Sequence, residues 1–168
     1  MRIAMKGAAL ASALAVSLVM TQAAESQSLK TGHYSVSPAA VTAGRDTTKY
    51  QKYTAQLENQ TSTGECFSVG INLPHRATIT NFVVWYKGGS TQPLSIQLVG
   101  SKLDEEMHNE IAYGVLADKS APRKRQALVV AAANALVDNS RYTYGINLCM
   151  WPDGARFYGA RVTYTYTS

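Results

Sequence analysis

The chain is 168 residues long, with 16 Lys and Arg against 11 Asp and Glu and a formal net charge of +5. That length suits one sizeable core, and so mild a charge, scattered along the chain, excludes a dedicated nucleic-acid binder. Two cysteines exclude a thiolate metal centre, which needs more ligands at close spacing.

The first predicted element is a targeting segment. Met1, Arg2 and Lys6 give a positive start, "AALASALAVSLVM" an apolar stretch of signal-peptide length, and "TQA" a small residue, Ala23, for cleavage. A transmembrane anchor needs about 20 apolar residues, and this run is shorter. Residues 1–23 are therefore expected to be a signal peptide, and 24–168 a single secreted domain of 145 residues (168 − 23). Losing Arg2 and Lys6 lowers the charge from +5 to +3 (5 − 2). Residues 24–31 read as a polar, frayed leader into the domain.

From there the apolar pattern alternates with period two, and helical periodicity is hard to find. Strands are predicted near 33–38, 49–57, 66–73, 78–87, 93–100, 110–118, 124–131, 141–149 and 156–167. Turn-rich pieces such as "TSTGE", "LPHRA", "KGGSTQP", "DKSAPRK" and "WPDGA" separate them. About nine short strands so punctuated indicate an all-β, antiparallel, jelly-roll-like sandwich. The one helix candidate, "ALVVAAANAL", is alanine-rich, but its paired valines favour a strand ending near Ala132. The run Arg123, Lys124 and Arg125 follows "SAP" and reads as a solvated hairpin tip rather than a polyanion site.

Two cysteines in an exported chain read as one disulfide, Cys66–Cys149. "ECFSVGINL" and "YTYGINLCM" place the cysteines in mirror positions about a shared GINL. Opposing Cys66 to Cys149 in antiparallel strands sets Phe67 against Leu148, Val69 against Ile146, Gly70 against Gly145 and Ile71 against Tyr144. Every apolar residue then meets another, whereas a one-residue slip would set the apolar face of one strand against the polar face of the other. Both cysteines fall on the face away from the core. The facing glycines should leave a bare spot on the sheet. The turn "LPHRA" returns the next strand, and "WYKGG" with it, to the disulfide end, which "MWPDG" also leaves. Trp85, Tyr86, Lys87, Trp151 and Asp153 should therefore gather there, with Trp151 exposed beside Pro152.

"INLPHRATIT", "VDNSRYTYGINLCM" and "FYGARVTYTYT" together resemble a group of uncharacterised bacterial secreted β-sandwich domains. In these an NLP-x-GA-x-(V/I)-T turn precedes a strand and a YGAR-(V/I)-x-YT strand ends the chain. The resemblance implies an exported, single-domain, non-catalytic sandwich and carries no activity. Arg76 stands where the group tends to have glycine, which implies a different turn after Leu73.

Little in the sequence suggests chemistry. His33, His75 and His108 lie in no metalloprotease motif, and there is no nucleophile elbow or phosphate loop. The acidic run "LDEEMHNE" would place Glu106, His108 and Glu110 on one face, continued by Asp104, if it were extended; the ordinary reading is a solvated surface. Glu105 with Glu110 or Asp153 could be nominated as a glycosidase carboxylate pair, but nothing singles them out. No cofactor and no metal is expected. Trp85 and Trp151 remain the best candidates for stacking on a ligand. The sequence thus points to a periplasmic or extracellular non-catalytic module binding a glycan or another cell-surface component, with Trp85, Tyr86, Lys87, Trp151 and Asp153 as candidate contacts. The alternatives are an assembly protein that forms homo-oligomers through the same end and, less favoured, a glycan-active enzyme.

Overall fold

The computed structural model describes residues 28–90, 92–117 and 122–167. The expected signal peptide lies outside the described residues. Among them are eleven strands: β1 (Leu29–Val36), β2 (Thr42–Ala43), β3 (Tyr50–Tyr53), β4 (Gln56–Asn59), β5 (Glu65–Ile71), β6 (Thr78–Lys87), β7 (Leu94–Lys102), β8 (His108–Leu116), β9 (Lys124–Leu128), β10 (Tyr142–Met150) and β11 (Arg156–Thr167). All pair antiparallel. One sheet has the order β3-β4-β11-β6-β9 with β1 also on β11, and the other β2-β5-β10-β7-β8. Within these, β4-β11-β6-β9 facing β5-β10-β7-β8 is the eight-strand order of a jelly roll.

The core lies between the sheets because each strand turns its apolar set inward. Phe67, Ile96, Leu98, Ile146 and Leu148 from one sheet meet Leu57, Phe82, Val84, Phe157 and Val162 from the other, all at most 2% exposed. Cys66 and Cys149 stand directly opposite one another, bonded, with their Cα atoms 4.0 Å apart. Gly70 faces Gly145, Val69 faces Ile146 and Phe67 faces Leu148, the register expected from apolar matching. Cys66 is exposed on the outer face.

Two local expectations need correction. The predicted 49–57 strand is a hairpin, β3 and β4, turning at Thr54 and Ala55; no Gly, Pro or Asn marks that turn, so the sequence carries no signal to break the strand there. Together with the two-residue β2, this raises the count from nine to eleven. The strand expected to reach Ala132 stops at Leu128. Beyond it Val130 makes a single bridge to Ala112, the Ala131 amide donates to the Ile111 carbonyl, and Ala132–Asn134 form one 3₁₀ turn. In the turn after Leu73, Arg76 itself takes φ 63°, and the Ala77 amide donates to the Pro74 carbonyl.

Candidate functional site

With their apolar residues committed inward, the strands of the five-stranded sheet present polar residues on its outer face. The register aligns Thr42, Ser68, Asn147, Gln97 and Tyr113 in one row across all five strands. Four inter-strand gaps make that row about 19 Å long. A parallel row holds Cys66, Cys149, Ser95 and Val115, and another Gly70, Gly145, Val99 and Glu110. Tyr113 is 46% and Val115 47% exposed.

This surface is rich in neutral amides and hydroxyls. The Thr42 hydroxyl donates to the Ser68 carbonyl, and the Gln97 amide donates to Glu110 at 3.4 Å. Among the described residues, the side chains of Ser68, Ser95, Thr143 and Asn147 hydrogen-bond to no other protein group, so their donors and acceptors face solvent. The glycine pair interrupts this field: a β-carbon at Gly70 would meet nothing within 4 Å. Beside it a groove of about 650 Å³ opens at the end of the sandwich remote from the disulfide, lined by Gly70, Asn72, Asn139, Tyr142 and Thr143.

The groove wall is stiffly held. The Asn139 side chain donates to the Leu73 carbonyl, and its backbone amide donates to His75 Nδ1. The Tyr144 hydroxyl accepts from the Asp138 amide at 2.7 Å, and burial raises the phenol's pKa above its usual value. A hydrogen bond from the Ser140 hydroxyl holds the Asp138 carboxyl below the usual carboxylate range, helped by nearby His75 and Arg141.

The residues singled out in the sequence lie at the other end, on three different surfaces. Tyr86 is a core residue, 2% exposed, whose hydroxyl hydrogen-bonds Gln126. Trp85 points the opposite way, onto the outer face of the six-stranded sheet, 5.5 Å beneath the Arg161 guanidinium. Lys87, opposite Arg156, shares that face. Trp151 is 45% exposed in the loop after β10, and its ring packs so near Gly64 that a β-carbon there would come within 3.0 Å of it. Asp153 joins two loops: its carboxylate accepts from the Gln92 amide and its carbonyl from Ser90, beside a Gly89 that leaves no room for a side chain.

The acidic run does not form one extended face. Residues 103–106 are irregular and the strand begins only at His108, so His108 and Glu110 share the outer face without Glu106. Glu105 is paired with Lys102 at 2.6 Å. Among the described residues no three His, Cys, Asp or Glu side chains are grouped to hold a metal. Glu105 and Asp153 sit at opposite ends of the sandwich.

The alternation of "PLSIQLVG" and "RYTYGINLC" already sets Ser95, Gln97 and Asn147 opposite the core. Their alignment with Ser68 and Tyr113 depends on sheet order, which no local pattern carries. No helix among the described residues is long and apolar enough to cross a membrane.

No family model matches the chain, and no curated protein matches it. Several solved structures do. One is the C-terminal family 6 carbohydrate-binding module of a laminarinase from Zobellia galactanivorans, at 11% identity and TM-score 0.47 over 79% of this chain and 99% of that one. Another is a family 29 carbohydrate-binding module from Piromyces equi, at 12% identity and TM-score 0.44 over 80% and 90%. A family 61 module in complex with β-1,4-galactotriose matches at 11% identity and TM-score 0.41 over 76% and 87%. None of these likenesses bears on which ligand this chain takes.

Proposed function

We propose that the protein is an exported, non-catalytic module that binds a neutral glycan along the outer face of its five-stranded sheet. The observation that carries this reading is the row Thr42–Ser68–Asn147–Gln97–Tyr113, a straight line of neutral side chains beside a bare glycine pair. Sugars offer hydroxyls, which pair with amides and hydroxyls at no cost of burying charge, and flat C–H faces, which pack on an exposed tyrosine. The glycines let a ring come down to the backbone. The disulfide fits an oxidising compartment, where such polymers are met.

Gly70→Val supplies the test, because the new side chain enters open space on a strand where a β-branched residue is favoured. The variant should keep or slightly raise the wild-type melting temperature while losing at least tenfold in glycan affinity, measured on a neutral-glycan array and by titration calorimetry. Tyr113→Ala should weaken binding similarly, and Trp151→Ala should leave it unchanged. Binding that survives Gly70→Val and Tyr113→Ala but is lost in Trp151→Ala would move the site to the disulfide end. A wild type that binds no neutral glycan and gains mass with concentration would replace this reading with the assembly role.

A further inference from the structure

The six-stranded sheet has an outer face of opposite character. A β-bulge between Phe157 and Gly159 inserts Tyr158 as an extra residue in β11, its hydroxyl donating to the Pro122 carbonyl. The Arg123 guanidinium lies 5.0 Å over that ring, and Arg161 lies 5.5 Å over Trp85. Arg125 stands directly opposite Trp85 in β9, so the basic run is not merely a solvated tip: part of it is laid onto the sheet. Although Val83 faces outward, it is 1% exposed, so the side chains around it close over it into a continuous surface.

The charges on this face are largely uncompensated. Arg156 is paired with Glu58 at 3.3 Å. Among the described residues, Lys87, Arg123, Arg125 and Arg161 form no ion pair. Strand geometry sets neighbouring positions about 5–7 Å apart, close enough for unscreened like charges to repel. An anion spanning them would relieve that repulsion. Guanidinium groups already stacked on rings lose little freedom when they grip a carboxylate or sulfate with two hydrogen bonds.

We propose that this face is a second binding surface, independent of the neutral one, for a linear polysaccharide bearing carboxylate or sulfate groups. Charge complementarity selects an anion, and the flat face selects an extended polymer. Arginines cover the two rings that a single-stranded nucleic acid would need as stacking platforms.

The oxidised full chain should be titrated with polygalacturonate, with heparin, with dextran and with a thymidine oligonucleotide, at 50 and 300 mM NaCl. The expected result is binding of polygalacturonate or heparin that weakens at least tenfold at the higher salt, with none of dextran at these positions and weaker binding of the oligonucleotide at matched charge. Whichever of the two acidic polymers binds more tightly identifies carboxylate or sulfate as the preferred group. Arg125→Gln with Arg161→Gln should cost at least tenfold in that affinity at unchanged melting temperature. Arg→Lys at both positions should recover only part, since charge returns without the planar fork. Gly70→Val should leave acidic-polymer binding untouched, which separates this surface from the neutral one. Absence of acidic-polymer binding at 50 mM NaCl would overturn the proposal. So would equal affinity for the oligonucleotide, or acidic-polymer binding unaffected by the double Gln variant.

Discussion

Arg76 sits third in the Pro74–Ala77 turn with φ 63°, a conformation that costs a residue with a β-carbon about 1–2 kcal/mol. Its amide still donates to the Val137 carbonyl at 2.8 Å, so the backbone role is filled and only the side chain is strained. Arg76→Gly would relieve that strain and loosen the unfolded chain by about 0.5–1 kcal/mol. The net expectation is a variant more stable by about 0.5–1 kcal/mol, read as a higher urea midpoint with an unchanged m-value. Residue identity in the sequence flags this position, but not the outcome, because the turn is held through Val137, distant in the chain, which accepts from the Arg76 amide and donates to the Ala77 carbonyl. Trp85 and Tyr86 show the same limit. In "FVVWYK" the apolar run is unbroken, so alternation cannot say which of the two faces the core; pairing with β11 and β9 decides it.

The β5–β10 pair is the element most legible in the sequence, because three constraints converge on one register: apolar matching, the glycine pair and the two cysteines. The disulfide is thus redundant for register and acts mainly on the unfolded chain, where it closes a loop with a separation of 83 residues. In the chain-entropy view that contributes about 4 kcal/mol. Cys66→Ala with Cys149→Ala should lower the unfolding free energy by about that amount in denaturant titration. The surviving folded fraction should keep the wild-type β-sheet circular dichroism, and it should keep neutral-glycan binding, since Ser68, Asn147 and Gly70 are placed by the ladder and not by the bridge. A folded variant that loses binding would show that the bridge sets the register after all. By contrast, the β3–β4 hairpin is poorly legible, since its turn carries no residue whose backbone preference announces it.

For the whole molecule, fold class is readable because segments such as "PLSIQLVG", "RYTYGINLC" and "RFYGARVTYTYT" alternate with period two, and the one helix candidate is short. Strand order is not, and with it go the functional surfaces. Side-chain alternation within β6 sends Trp85 and Tyr86 to opposite faces, while the jelly-roll order brings residues far apart in sequence, such as Ser68 and Gln97, into line. The result is a slab with a neutral face on one side and a cationic face on the other. The same topology sets Leu29 directly opposite Thr167, so β1 and β11 leave the sheet side by side. A load pulling those two strand ends apart would meet the ladder's hydrogen bonds one at a time, as in a zipper, and β1 should peel at low force. Extension would then stop short: the 83-residue separation bridged by Cys66 and Cys149 withholds about 280 Å of contour length until the bond is reduced. Single-molecule stretching with and without reductant should show that difference in length. A tethered domain of this design would act as a short, soft spring with a covalent stop.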